Sequence, residues 1–383
     1  MVKYRLKDLF NLFAGGDIDI EHFSQYKTPI HCFPIYSNSL NNKGLYGYTN
    51  TPKYKGNAIT ITGRGSVGHA EYRKQDFDAI IRLLVLIPKK SNIVNPYYLT
   101  QFINQYVSFP LESTGVPQLT VPQIENIEVA LPDYTQQVAT AEALSDIDSL
   151  LSSLQKLIEK NKAIKQGAMQ ELLTGKKRLP GFYGEWKHGV WKDVLAGFYS
   201  GATPYRGRAD YYKGNIRWVS SGELNYNIIK DTIEHISEKA KSETSLIAHP
   251  AGTFLMAITG LEAAGTRGSC AILGNDATTN QSCMAIYGTD KMVIPYLYQY
   301  YLLNGEELAF QYCQGTKQQS YTAAIVKELP IYYPCDIVEQ QAIAQVLSDM
   351  DSEIEQLEKK LVKYQQIKQG MMQELLTGRI RLV

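Results

Sequence analysis

Between residues 144 and 168 the side chains facing one way along a helix would be Leu144, Ile147, Leu151, Leu154, Ile158, Asn161, Ile164 and Ala168. Spacing by threes and fours over so many residues predicts a helix with a single narrow apolar seam. Adding 203 to each number gives Leu347, Met350, Ile354, Leu357, Leu361, Tyr364, Ile367 and Met371, so the seam occurs twice in the same phase. Each copy begins at an Asp that can accept from a free first-turn amide, Asp133 with Gln136 and Asp336 with Glu339, in the order of a capping box. Gly175 and Gly378 suit the left-handed C-terminal cap. A rod of roughly 39 residues is on the order of 58 Å long. Two seams of equal phase predict a helix pair, and because each rod ends one half of the chain the two are expected to pack antiparallel as a coiled coil.

The duplication is literal. Ile164 to Gly175 reads IKQGAMQELLTG and Ile367 to Gly378 reads IKQGMMQELLTG, identical at eleven of twelve positions. The same offset carries Gln137 onto Gln340, Asp148 onto Asp351 and Arg178 onto Arg381. Ahead of each helix lies a mixed segment with short β-branched and aromatic runs: Ala58 to Ile61, Ala79 to Ile87, Ile216 to Val219, Thr253 to Ile258 and Ile325 to Tyr333. Pro295 to Phe310 carries a helical pattern, and Pro180-Gly181 marks a turn between the halves. Ile61-Thr62-Gly63 and Ile258-Thr259-Gly260 each lead into a glycine-rich loop. The expected class is α+β with a pseudo-two-fold internal repeat. Its expected parts are a globular domain over 1–132, a first helix over 133–178, a second domain over 179–334 and a second helix over 335–383.

Composition narrows the function. The chain has 383 residues, 44% hydrophobic and 20% charged, which is ordinary for a soluble globular protein of two or three domains. No apolar run reaches membrane-spanning length, and Met1 to Asp8 lacks the apolar core of a signal peptide. Five cysteines without a CxxC pair argue against a zinc site or disulfide framework, and a cytoplasmic location is expected. A net charge of +1 speaks against a plainly basic nucleic-acid binder, although acidic residues of the second helix offset basic patches elsewhere. The 27 tyrosines suit a recognition surface.

Catalytic signatures are missing. There is no phosphate-binding GxxxxGK[ST], no HExxH and no GxSxG, and the six histidines have no metal-like spacing. Gly63 to Gly68 fits the bare GxGxxG string, but a β-like run follows it where a dinucleotide site needs a helix. Basic and amide groups interleaved with aromatics are more informative, because Lys and Arg neutralise phosphates while Arg, Gln, Asn and Ser read base edges. In the first segment these are Ser37, Asn38, Lys43, Tyr46, Tyr48, Lys53, Arg64, Ser66, His69, Arg73 and Gln118. The second segment contributes Thr203, Arg206, Arg208, Tyr211, Ser220, Ser221, Arg267, Lys317, Gln318, Gln319 and Tyr321.

Several strings resemble the specificity subunit of type I restriction-modification systems. They are Leu179-Pro180-Gly181-Phe182 with Trp186, Ser200 to Pro204, Tyr211 to Gly214, Trp218 to Leu224 and the closing Ile367 to Gly378. The first segment departs from that pattern, with Gly15-Gly16-Asp17 and Ile35-Tyr36-Ser37 in place of the Ser-Gly-Ala-Thr-Pro and Trp-Val-Ser-Ser strings. The resemblance implies two target recognition domains on an antiparallel helical spacer, each reading half of a bipartite, asymmetric double-stranded DNA site. It also implies two docked modification subunits that use S-adenosylmethionine and methylate adenine, joined by ATP-dependent restriction subunits, with no catalysis and no cofactor in this chain. The alternative is a coiled-coil scaffold that presents two β-rich modules to protein partners without binding DNA.

Overall fold

Two 39-residue helices dominate the computed structural model, which describes residues 1–109, 117–262, 266–315 and 319–382. The described elements fall into two units, Met1–Lys156 with Lys359–Val383 (unit 1) and Leu157–Glu358 (unit 2). In chain order, unit 1 holds strand β1 (Val2–Arg5), helix α1 (Leu6–Leu9) and strands β2 (Phe10–Ala14), β3 (Phe23–Ser24), β4 (Phe33–Tyr36), β5 (Leu45–Thr49), β6 (Ala58–Ile61), β7 (Ala70–Arg73), β8 (Asp78–Ala79) and β9 (Leu84–Pro88). Helices α2 (Pro96–Tyr106) and α3 (Val121–Ile124), strand β10 (Glu128–Leu131) and the long helix α4 (Tyr134–Leu172) follow.

Unit 2 continues with β11 (Trp186–Val190), α5 (Trp191–Val194), β12 (Ala196–Ser200), β13 (Ile216–Val219), β14 (Asn227–Ile229), β15 (Glu234–Ile236) and α6 (Glu238–Glu243). Next come β16 (Phe254–Ala257), β17 (Cys270–Leu273), β18 (Thr278–Thr279), β19 (Cys283–Tyr287), α7 (Ile294–Tyr312), α8 (Ala323–Lys327), β20 (Pro330–Pro334) and the second long helix α9 (Ile337–Leu375). The two long helices start and stop 203 residues apart, as the repeated text predicts.

The two units share one wiring. Unit 1 has sheets ordered β2-β9-β6-β7, β3-β5-β4-β8 and β1-β10; unit 2 has β12-β19-β16-β17-β14, β15-β13-β18 and β11-β20. In each, a strand pairs antiparallel with one neighbour and parallel with a two-residue strand on its other side, β4 with β5 and β8, β13 with β15 and β18. Strands β6 and β9 are buried on both faces: Ile59, Ile61, Leu84 and Leu86 face the core under α2, while Ala58 and Val85 face Phe77 and Tyr36. A strand covered on both sides reads as an unbroken apolar run, which explains its sequence. The single strand expected over Ala79 to Ile87 is instead two, β8 and β9, broken at Ile81 and Arg82, whose φ angles are +55° and +57°. The Ile325 to Tyr333 run likewise divides into the end of α8 and β20.

Helix ends follow the expected caps in part. Gln136 N–H donates to Asp133 Oδ1 (3.0 Å) and Val338 N–H to Asp336 Oδ1 (2.8 Å), while Gly175 and Gly378 sit at φ +69° and +70°. The side chains at the third position are also engaged elsewhere: Gln136 Nε2 donates to Leu382 O (2.5 Å) and Glu339 accepts from Arg178. One residue beyond, the buried Gln137 donates to Ile93 O and Pro132 O and accepts from Asn95 N–H. Gln340 repeats this with Lys291 O, Pro334 O and Val293 N–H. The repeated glutamine thus ties each long helix to the loop before α2 or α7.

Within each unit the stretches of α4 and α9 run antiparallel. In unit 1 Lys368 pairs with Asp148 (2.6 Å); in unit 2 Lys165 pairs with Asp351 (2.5 Å) and Asn161 Nδ2 donates to Glu353 (3.2 Å). Leu144, Ile147, Leu154, Ile158, Leu347 and Ile354 are buried as the seam predicts. Ile164 and Ile367 are not, being 49% and 40% exposed. Strict alternation of threes and fours leads from Asn161 to Lys165 and from Tyr364 to Lys368, so the seam accommodates lysines whose ammonium groups meet the aspartates opposite. Lys165 and Lys368 are themselves 203 residues apart, as are Asp351 and Asp148, and each lysine takes the aspartate of the other repeat.

Unit 2 also buries an imidazole. His249 is 1% exposed, its Nδ1 lies 2.7 Å from Tyr287 Oη, and its backbone bridges Ala277 just before β18. Burial lowers its pKa from 6.5, so the unfolded chain takes up the proton first and the stability His249 provides is present above pH 6.5 and lost as pH falls through its folded-state value. Between pH 6.5 and about pH 5.5, denaturant unfolding of the wild-type chain is therefore expected to lose more stability than that of His249→Phe. Equal losses would assign the acid sensitivity to other groups.

Candidate nucleic-acid interface

Four strands of unit 1 deliver their carboxyl-terminal loops to one place. After β2, Gly15 N–H donates to Leu83 O (2.8 Å), and Ile81 and Arg82 N–H donate to Gly16 O and Gly15 O (both 2.9 Å). After β4, Asn38 acts as the hub: its Nδ2 donates to Ile81 O (2.5 Å) and its Oδ1 accepts from Gly63 N–H (2.7 Å). Beyond β6, Gly63 O accepts from Leu119 N–H (2.8 Å), and Arg64 forms a bridge with Gln118. A Cβ on Gly15 would lie 2.6 Å from Ala79 O, so the close approach that requires this glycine is the protein's own backbone. The Gly63 to Gly68 segment is the hairpin loop between β6 and β7, with Gly65 and Gly68 at positive φ and no helix following.

Unit 2 brings the equivalent loops together, partly through different hydrogen bonds. Gly201 and Ala202 N–H donate to Asn280 O and Thr279 O (both 3.2 Å), Asn280 N–H to Val219 O (2.8 Å), Ile258 N–H to Ser282 O (2.9 Å) and Tyr321 N–H to Ile258 O (2.8 Å). The bridge equivalent to Arg64 with Gln118 is Thr259 with Ser320. The likeness of Ile61-Thr62-Gly63 to Ile258-Thr259-Gly260 is therefore two residues out of structural register, and Gly63 corresponds to Ile258. A two-residue slip preserves the face in a strand of period two, so alternation along the sequence did not expose it.

The structure sorts the candidate residues of unit 1. Lys43, Arg64 and Ser66 are exposed, Tyr46 is exposed against Phe23, and Tyr48 is half-buried on β5. Lys53 reaches the buried Asp78 (3.2 Å), and His69 Nε2 lies 3.2 Å from Glu71. Ser37 and Arg73 are buried, which corrects their expected surface placement. The Ser37 hydroxyl donates to Gly44 O, and the Arg73 guanidinium lies 3.6 Å from the Tyr36 ring centre with Nε donating to Thr60 Oγ1 (2.9 Å). Desolvation at that position holds the Arg73 pKa below its usual value.

In unit 2, Thr203 Oγ1 donates to Gln281 Oε1 (2.5 Å) on the confluence. Arg206 spans both oxygens of Glu234 (2.5 and 2.9 Å) beneath the rings of Tyr212 and Trp218, and Arg208 meets Asp210 (2.7 Å) over Tyr211. Those hydrogen bonds raise both arginine pKa values and lower those of Glu234 and Asp210, so the two charges are matched internally. Tyr211 and Tyr321 are buried, a correction, and the Tyr211 hydroxyl donates to Glu243. Ser220 N–H and Oγ donate to Glu223, closing the short turn that holds Ser221. Arg267 and Gln319, 52 residues apart, do meet: Arg267 Nη2 donates to Gln319 Oε1 (3.1 Å) and its Nε to Leu261 O (3.0 Å). Lys317 and Gln318 lie outside the described residues.

Arg82 and Gln281 are exposed on the confluences and are not among the candidates that the sequence offers. Arg82 offered a signal, a charge inside an apolar run, but it was read as an interruption of a strand. Among the described residues no cluster of side chains could hold a metal ion, and no helix is long and apolar enough to cross a membrane.

A family model for the type I restriction modification DNA specificity domain matches residues 1–166 and 183–368, one match for each repeat. The type I restriction enzyme MjaVIII specificity subunit of Methanocaldococcus jannaschii is 24% identical over 318 residues, 78% of this chain and 73% of that protein. The MjaIX specificity subunit of the same organism is 34% identical over 166 residues, 42% of this chain and 36% of its own length. A putative type I specificity subunit of Mycoplasma pneumoniae is 26% identical over 144 residues, 38% of this chain. The match spans 39% of that protein, so for it and for MjaIX the chain covers well under half of the relative. In fold, the chain is similar to the crystal structure of a type I restriction-modification S subunit from M. genitalium, with a TM-score of 0.68 at 14% identity over 98% of this chain and 95% of that one.

Proposed function

Because the chain belongs to the type I restriction-modification DNA specificity family, a family of non-catalytic DNA sequence-recognition subunits, we propose that each unit reads one half of a bipartite, asymmetric double-stranded DNA site. The observation that carries this reading is the pair of loop confluences with one backbone plan and different side chains at equivalent places, Arg64 against Thr259 and Ile81 against Gln281. Equal scaffolds with unequal side chains present unequal donor and acceptor patterns to the grooves, and hence read unlike half-sites. The long helices dock two modification subunits, on which S-adenosylmethionine is used, and ATP-dependent restriction subunits complete the assembly.

Methylation mapping of a host genome with and without this chain tests the reading. The expected result is one bipartite motif that appears with the chain and disappears without it; no change in the methylome, with partners present, would favour a scaffold with no DNA role. A sharper test uses Arg64→Ala/Arg82→Ala. Two exposed arginines that neutralise phosphates give about two units of slope in the salt dependence of binding. Loss of both is expected to flatten that slope by about this amount in a gel-shift titration of the assembled complex. An unchanged slope would remove both residues from the interface.

A further inference from the structure

Among the described residues of unit 1, the turn between β8 and β9 is the one place where a branched apolar side chain stands exposed in a strained conformation on the confluence. Ile81 has φ +55°, a region that β-branched residues avoid, and Arg82 follows it at φ +57°. In unit 2 the equivalent turn at Gln281 and Ser282 has no positive φ and is tied the other way round, Gly201 and Ala202 N–H donating to Asn280 O and Thr279 O. The strained pair of unit 1 is held firmly: Ile81 N–H donates to Gly16 O, Arg82 N–H to Gly15 O, and Ile81 O accepts from Asn38 Nδ2. Surroundings that over-determine a costly conformation at a binding surface point to a use for it. Its product is an Ile side chain 49% exposed, with the exposed Arg82 beside it and the exposed Arg64 on the neighbouring hairpin.

We propose that Ile81 is an apolar wedge that enters the base stack of the half-site read by unit 1, while Arg82 and Arg64 hold the flanking phosphates. The inference rests on the DNA reading above and adds to it a mode of recognition. A branched apolar side chain with one exposed cation next to it in the chain and another on the adjoining hairpin matches the chemistry of a duplex opened at one step, with apolar base faces inside and phosphates on the rims. Pyrimidine–purine steps unstack most readily, so the step under Ile81 is of that kind, and its identity is read through deformability without a hydrogen bond to either base. The polar Gln281 at the equivalent place in unit 2, engaged by Thr203, leaves the other half-site stacked.

The test uses the full chain assembled with its modification subunits and a duplex bearing the mapped motif, with 2-aminopurine substituted at each purine in turn. Wild-type complex is expected to raise the fluorescence at one step of one half-site, and at no step of the other. Ile81→Gly and Ile81→Asn both suit a left-handed backbone and remove the wedge. Both are expected to abolish the rise and weaken binding about tenfold while unfolding at no lower temperature than wild type, which separates lost recognition from lost folding. Tight wild-type binding with no rise anywhere, or a rise that survives both substitutions, overturns the wedge and leaves the DNA reading standing. Failure of the wild-type complex to bind the mapped duplex overturns both.

Discussion

Arg178→Ala is expected to destabilise unit 2 by about 3–5 kcal/mol, the cost of leaving a buried carboxylate without its partner. Glu339 is fully buried and accepts two parallel bonds from the Arg178 guanidinium, Nε to Oε1 at 2.5 Å and Nη2 to Oε2 at 2.7 Å. The two partners are not equivalent. Arg178 retains 28% exposure of its side chain and lies near the Trp186 ring, so without Glu339 it can turn to water. Glu339→Ala is therefore expected to cost about 1–2 kcal/mol, and Arg178→Ala/Glu339→Leu to recover much of the single-variant loss. Chemical denaturation of the four proteins gives the comparison; a larger loss for Glu339→Ala than for Arg178→Ala would mean that the carboxylate is solvated. In unit 1 the corresponding place holds the neutral Gln136, bonded to Leu382 O, so no such asymmetry is expected there.

A change of helix length is expected to alter the DNA interval between half-sites and leave the half-sites themselves intact. Under the proposed function the interval is set by the paired helices, so an insertion must be made in both to keep the antiparallel register. Seven residues after Gln155, with seven more after Glu358, preserve the apolar phase and add about 10 Å to each helix, equivalent to about three base pairs. Methylation mapping is expected to return the same two half-sites separated by a correspondingly longer gap. The same insertion in one helix alone lets only one of the two ion pairs, Lys165 with Asp351 or Lys368 with Asp148, keep its register, and is expected to yield little assembled complex. An unchanged gap with the matched insertion would show that something other than helix length fixes the spacing.

What could be foreseen from sequence was whatever repeats or alternates. The long helices, their Asp and Gly ends and their antiparallel pairing follow from two seams in one phase and an offset of 203. Strands covered on both faces, such as β6, announced themselves as unbroken apolar runs. Three-dimensional bookings of polar groups were invisible: that Glu339 would pair with Arg178, that Lys165 would displace Ile164 from the seam, and that Arg206 and Arg208 would be matched by Glu234 and Asp210. At the interface, residue type alone could not separate Arg73, committed to Tyr36 and Thr60, from Arg64, which stands exposed. Asn38 was singled out as a DNA contact, whereas its place as the hub of three loops rests on partners 25 and 43 residues away.

The division of the long helices between the units imposes an order of events during synthesis. Unit 2 is a single stretch of chain ending at Glu358, whereas unit 1 is interrupted and needs the final stretch from Lys359 to close. Met372 and Leu376 belong to its core, and the Tyr98 hydroxyl donates to Leu376 O. Residues 1–156 are thus made before unit 2 yet finish folding after it, because their apolar surface stays open until the stretch from Lys359 has also been made. A nascent chain stalled before Met372 is expected to have a protease-resistant unit 2 and a unit 1 still open to digestion or to chaperones.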